Sequence, residues 1–300
     1  MRIFDRCFIM RLDSTSLSSF GATALFVLLW SGGAIFARLG LDHASPFAFL
    51  VLRFALAFIA LALIAGHSGV WLPERGLRWP TARAGLLMIG GYSLCYLLAL
   101  AEGITPGVLA TILGVQPILT LMLLERSASP LRLLGLLLAL AGLAMIVADS
   151  LLYSAMSIPG VLFALAALLC ITVGTIAQKN LQQAPMRALP LQYGLCLLGS
   201  LALLPSQHWQ VNYDIGLIMP LLWMGLVISV GAQLLLYRLI QAGNLVNVTS
   251  LFYLVPVSTA LLDYLLLGNR LSLRALLGMG AILIGLALVF RFAPKTAPTQ

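Results

Sequence analysis

Arg53 is the residue this chain accommodates least easily. It stands about seven residues into an apolar run, 46–65. A central arginine there costs roughly 2.5–3.5 kcal/mol on insertion scales, so its guanidinium must face protein or water and find a partner. Three roles compete for it: bidentate binding of a substrate carboxylate, an ion pair with Glu102 or Asp42, and outward snorkelling.

Other polar side chains recur inside apolar runs at helical spacing. Gly225, Ser229, Gln233 and Tyr237 follow one another at steps of four, which places them on one face of a helix that is otherwise Leu and Val. Such a stripe suits a cavity wall, and it suits an ordinary helix contact as well. Tyr92 and Tyr96 repeat the spacing in an earlier run, and Thr249, Tyr253 and Pro256 in a later one. Gln116 directly precedes Pro117, and Thr172, Thr175 and Lys179 share a face. Tyr92, Tyr96 and Tyr253 lie at mid-depth, whereas Tyr153, Tyr213 and Trp71 fall where interfacial belts form, with Trp30 on the border. The expected substrate-binding set is therefore Trp30, Tyr92, Tyr96, Gln116, Gln233 and Tyr253. It describes a pocket with apolar walls and a few orienting hydrogen bonds, suited to a small amphipathic or aromatic solute. Asp263, two turns beyond Pro256, is a candidate proton site; it could equally pair with Arg270 or Arg274.

What is missing narrows the chemistry further. His43, His67 and His208 all fall in loops, and no HExxH, GxSxG or phosphate-binding glycine loop is present, so an enzyme lacks its acids, bases and nucleophile. Cys7, Cys95, Cys170 and Cys196 form no CxxC pair and no Cys/His cluster. No disulfide, metal site or cofactor is expected.

The elements that position these residues follow from composition. Hydrophobic residues make up 61% of the 300 positions and charged ones 9%, with a mean hydropathy of +1.06. A globule with that balance could not coat its surface, so the chain belongs in a bilayer. Ten stretches approach the length a membrane helix needs: 18–38, 46–65, 83–101, 105–124, 131–149, 157–178, 188–204, 215–237, 245–267 and 271–291. The first is too long for a cleaved signal peptide and is expected to remain as a helix. The segments around 67–82 and 205–214 read as interfacial loops.

The formal net charge of +8 does not imply a nucleic-acid partner, because the basic residues are spread over short loops. With a cytoplasmic N-terminus, the inner loops and tails collect Arg2, Arg6, Arg11, Arg75, Arg78, Arg83, Arg126, Arg132, Lys179, Arg187, Arg238, Arg291 and Lys295. The outer loops receive Arg38, Arg270 and Arg274. This asymmetry predicts both termini inside and an even number of spans.

The chain also repeats itself. Gly135 to Val147 (GLLLALAGLAMIV) and Gly278 to Phe290 (GMGAILIGLALVF) align Gly, Leu, Gly, Leu and Ala at an offset of 143 residues, close to half the length. More weakly, Gly33, Ile35 and Arg38 match Gly174, Ile176 and Lys179. Pro117 and Pro256 each sit mid-span, where the missing donor should kink or open the helix. The prediction is an all-α integral membrane protein of ten transmembrane helices, arranged as two inverted five-helix repeats around a central cavity. The boundaries are a cytoplasmic tail at 1–17, repeats at 18–149 and 157–291, a connecting loop at 150–156 and a second cytoplasmic tail at 292–300. The cavity is expected among helices one, three, four, six, eight and nine. The glycines of the duplicated block should pack helices five and ten closely.

The run Trp30-Ser31-Gly32-Gly33-Ala34-Ile35-Phe36, Pro46 and Arg53, Ser250-Leu251-Phe252-Tyr253-Leu254-Val255-Pro256, and the Gly278 to Phe290 block together resemble the EamA family of the drug/metabolite transporter superfamily. The resemblance covers nearly the whole chain. It implies the ten-helix inverted repeat, the central cavity, and export of small metabolites, often amino acids. It also favours a structural ion pair for Arg53 and a gating role for Pro117 and Pro256. One departure stands out: the family commonly carries Glu in the turn between helices nine and ten, where this chain reads Gly268-Asn269-Arg270.

The function expected is secondary transport of a small amphipathic metabolite, an amino acid or related compound, across the bacterial inner membrane. Lipid-linked flipping, a regulatory partner role and a membrane enzyme are the competing readings. The partners expected are a small-molecule solute and membrane lipid, with the chain as a monomer or homodimer.

Overall fold

The computed structural model describes residues 14–68, 71–125, 129–148, 152, 157–203, 209–267 and 272–294. Side chains are described from residue 21 onward, without those of 68 and 262–267. Among the described residues, eight helical segments are long and apolar enough to cross a membrane: α1 (Gly21–His43), α2 (Pro46–His67), α3 (Arg75–Ala101), α4 (Pro106–Leu124), α6 (Ile158–Lys179), α7 (Pro185–Leu203), α8 (Ile215–Ala242) and α10 (Leu273–Arg291). Two shorter apolar helices, α5 (Pro130–Ile146) and α9 (Leu245–Leu261), complete the set. Large apolar side chains such as Leu63, Met122, Leu162, Ile215 and Leu277 point outward uncovered. A helical bundle with such an exterior is an all-α membrane protein, since helices satisfy their own backbone inside lipid. The tails, the 150–156 loop and the turn at 268–271 that holds Arg270 fall wholly or largely outside the described residues.

Local chemistry sets the helix ends. The side chains of Thr105, Ser157, Asp214, Asn244 and Ser272 each accept from a backbone N–H in the first turn, and proline follows directly or closely at α4, α5 and α6. Helix α3 begins several residues before the expected start at 83. After a 3-10 turn at Arg75–Leu77 its α-helical winding begins at Arg78, so Pro80 falls in the first α-turn, where a proline is tolerated, and Arg83 lies over the Trp79 ring at 5.6 Å.

Helix α1 is interrupted at Gly32, and four further helices depart from regular winding in two corresponding pairs. Helix α3 carries a π-type segment at Leu86–Gly91, and α8 carries one at Trp223–Ala232. Helix α4 is interrupted at Gly114 and Val115, just before Pro117, while α9 tightens at Leu251–Tyr253, just before Pro256. In α4, Ile118 N bonds Val115 O three residues back, so the Gly114 carbonyl is left free of its helical partner.

Two cores hold the bundle. The larger gathers Phe26, Phe49, Phe54, Tyr193 and Tyr237 with their neighbours from α1, α2, α7 and α8. The smaller joins Leu121 of α4, Leu143 of α5, Tyr253 of α9 and Ile282 of α10. Lipid removes any hydrophobic drive between helices, so close backbone approach and dispersion must hold α5 to α10. A Cβ built on Gly142 would stand 2.5 Å from Gly278 O, and one on Gly285 would stand 2.5 Å from Gly135 O. The contacts are reciprocal and the two helices run antiparallel. Gly135, Gly142, Gly278 and Gly285 of the duplicated block thus serve packing, as the sequence suggested, whereas Gly280 meets nothing within 4 Å.

Candidate functional site

A cavity of about 120 Å³ opens where the irregular helices converge. Its wall takes Trp30 and Ala34 from α1, Arg53 from α2, Tyr92 and Tyr96 from α3, and Gln116 and Pro117 from α4. Leu143 of α5, Ile171 of α6, Met224 and Ile228 of α8, and Phe252, Tyr253 and Pro256 of α9 close it. Helices α2 and α5 thus join the six that were expected to form it.

The aromatic part of the wall is built by edge contacts. Phe252 meets Trp30 edge-on at 5.2 Å and Phe26 at 5.5 Å, while Tyr92 and Tyr96 are tilted at 5.6 Å. Phe252 was quoted in the sequence only as part of a motif. The tightened turn at Leu251–Tyr253 brings both it and Tyr253 to the cavity. The Tyr253 hydroxyl donates to the Gly114 carbonyl, the group left free by the break in α4, so the two broken helices are tied at their breaks. Beyond its break α9 is also tied to α1 beside the Gly32 interruption: Thr259 Oγ1 donates to Ser31 O at 3.2 Å, and within α9 to Val255 O at 3.0 Å. Gln116 Nε2 donates to Thr175 Oγ1 at 3.3 Å, joining α4 to α6.

Arg53 lines the cavity and is 7% exposed. Its Nε donates to Ser229 Oγ at 2.9 Å, and Ser229 donates in turn to Met224 O at 2.7 Å. The ion pair expected with Asp42 or Glu102 is not formed. Asp42 pairs with Arg38 at 3.4 Å within its own helix, and Glu102 is exposed at the end of α3. Depth is the reason: both acids sit at helix ends, while Arg53 lies within its span.

Gln233 is the one expected binding residue that does not line the cavity. Steps of four keep one face only in a regular helix, and the π-type segment of α8 winds more residues into each turn. Met224 and Ile228 consequently take the wall, Ser229 turns to Arg53, and Gln233 is buried elsewhere. The side chain of Asp263 lies outside the described residues.

Two polar clusters that sequence reasoning missed flank this site. Gln192 Nε2 donates to Thr81 O and to Gln178 Oε1, both at 3.0 Å, and its Oε1 accepts from the Tyr237 hydroxyl at 2.6 Å. Fully buried Arg132 donates to Glu125, to Asn244 Oδ1 at 2.8 Å and to Asn247 Oδ1 at 2.7 Å. Beside it, Lys179 Nζ caps the end of α8 through Gln241 O and Gly243 O at 2.9 and 2.8 Å. At the other end of the bundle, His43 Nδ1 meets Asp214 Oδ2 at 3.0 Å, and Ser45 N donates to Gln210 O at 2.8 Å.

The EamA-like transporter family matches residues 19–148 and again residues 158–291. The chain belongs to the EamA-like transporter family. It is therefore a transporter of the drug/metabolite transporter superfamily and not an enzyme. An uncharacterized transporter of Archaeoglobus fulgidus is 27% identical over 258 residues, covering 82% of this EamA-like chain and 88% of the relative. A second uncharacterized transporter of that organism is 25% identical over 278 residues, covering 89% and 97%. A crystal structure with 20% sequence identity shares the fold, with a TM-score of 0.72 over 92% of this chain and 98% of that one.

Proposed function

We infer that this EamA-like protein is a secondary transporter that exports a small amphipathic metabolite, an amino acid or related compound, by alternating access. The observation that carries the reading is the cavity itself. It draws its wall from both family-matched segments, and it opens where the paired irregular helices meet. Trp30, Tyr92, Tyr96, Gln116 and Tyr253 would supply the apolar walls and orienting groups, with Arg53 as the cationic contact. Pro117 and Pro256 mark the flexible points, beside breaks that need little backbone rearrangement to bend.

The two segments read as five-helix halves, 18–149 and 157–291, inserted in opposite orientation, with α5 and α9 bringing the spans to ten. The antiparallel, reciprocal glycine contacts of α5 and α10 support this, as do the π-type segments at like places in α3 and α8. Basic-residue asymmetry supports cytoplasmic termini in a bacterial inner membrane. In that orientation the Arg132–Glu125 cluster and Lys179 close the cytoplasmic end. Outward flux is the direction that the family resemblance favours.

Counterflow of labelled metabolites into liposomes containing only this protein tests the reading. Saturable flux that falls in Tyr96→Ala and Tyr253→Ala supports it. A purified, folded protein that moves no member of a broad amino-acid and organic-acid panel refutes it.

A further inference from the structure

The charge of the cavity wall narrows the solute, if the transport reading holds. Of the twenty lining residues, Arg53 alone carries a formal charge and none is acidic. The described carboxylates nearest by sequence or topology are engaged elsewhere or lie outside the cavity. Asp42 holds Arg38, Asp214 holds His43, Glu125 holds Arg132, and Glu102 is exposed. The one hydrogen bond that orients the guanidinium comes from its Nε to Ser229, which leaves the NH1 and NH2 edge without a described partner. A cation inside a low-dielectric wall attracts an anion strongly and repels a second cation equally strongly.

An amino acid placed with its carboxylate on Arg53 would bring its own ammonium beside the guanidinium, with no acid among the described lining residues to answer it. A carboxylic acid without the amine meets the same arginine with no such conflict. Its apolar body would lie against the aromatic wall that Trp30, Tyr92, Tyr96 and Phe252 supply. The volume limits that body: about 120 Å³ is small beside the ~300–1,000 Å³ of pockets for drug-sized ligands. We propose that the cavity takes a monocarboxylate of net charge −1 with a single-ring or comparably small apolar body, bound through its carboxylate to Arg53, in preference to a zwitterionic amino acid.

The test uses the full-length protein and solutes of one shape but different charge: 3-phenylpropanoate, phenylalanine, 3-phenylpropanamide and 2-phenylethylamine, with benzoate and phenylacetate as shorter acids. Binding is read as thermal stabilisation in detergent, and transport as counterflow in liposomes. At least one of the three acids should bind tenfold or more tighter than phenylalanine, the amide and the amine. Arg53→Lys should keep the order with weaker binding, and Arg53→Gln should abolish it. The comparison of probes on the unmodified protein stands even if the Arg53 variants fail to fold. Equal or tighter binding of phenylalanine or the amide, or no response to any acid, overturns the proposal. Counterflow of phenylalanine in that case leaves the transport reading intact, so the two fail separately.

Discussion

Replacing Glu125 tests whether the buried Arg132 is as dependent on its partners as its surroundings imply. Arg132 is 0% exposed, and the carboxylate of Glu125 is its one anionic partner among the described residues; Asn244 and Asn247 supply neutral oxygens. Its Nε already lacks a described partner, so little slack remains. Glu125→Ala strips both carboxylate contacts and leaves a buried charge uncompensated, which costs about 3–5 kcal/mol. Glu125→Gln keeps one acceptor oxygen and loses the charge, so one charged hydrogen bond, about 1.5–3 kcal/mol, is the expected loss. The double variant Glu125→Leu with Arg132→Met removes both charges and should recover most of the deficit, since apolar replacement of a buried pair is often neutral or better. Unfolding of the detergent-solubilised variants by a denaturing-detergent titration, arranged as a double-mutant cycle, measures the coupling. If Glu125→Ala unfolds within about 0.5 kcal/mol of the parent, the guanidinium is not depending on that carboxylate and the reasoning fails.

Three further outcomes follow from the packing. Gly142→Ala forces a methyl to within 2.5 Å of Gly278 O and should destabilise the protein by about 1–3 kcal/mol, whereas Gly280→Ala, which meets nothing within 4 Å, should be near neutral by the same titration. Pro117→Ala and Pro256→Ala should each slow counterflow without lowering the amount of protein inserted; unchanged flux in both removes the prolines from the moving parts. Gln233→Ala should lower the melting temperature and leave solute affinity unaltered, while Tyr96→Ala should do the reverse, and a loss of affinity in the Gln233 variant would put that side chain back in the cavity.

The residues of the cavity were partly legible because membrane sequences tolerate few polar groups at depth. Arg53, Tyr92, Tyr96, Gln116 and Tyr253 stood out from apolar runs for that reason, and all five lie on the cavity wall. Gln233 stood out in the same way but lies elsewhere, because a π-type turn leaves no trace in residue spacing. Phe252, Met224 and Ile228 could not be distinguished from the many apolar residues that face lipid or core. The buried clusters were hidden by distance along the chain. Arg132 and Asn247 are separated by 115 residues, and Gln192 and Thr81 by 111.

Hydropathy and period alone determined that the chain is a helical membrane protein and that the paired glycines of its duplicated block lie at a helix contact, because lipid imposes those constraints residue by residue. The tertiary structure decided what spacing cannot express: that Arg53 leans on a serine and not on an acid, that the free carbonyl of one broken helix meets the tyrosine of the other, and that the cavity wall holds one positive charge. Those outcomes depend on which helices touch and at what depth. Pairwise geometry between distant segments settles that, and no local window contains it.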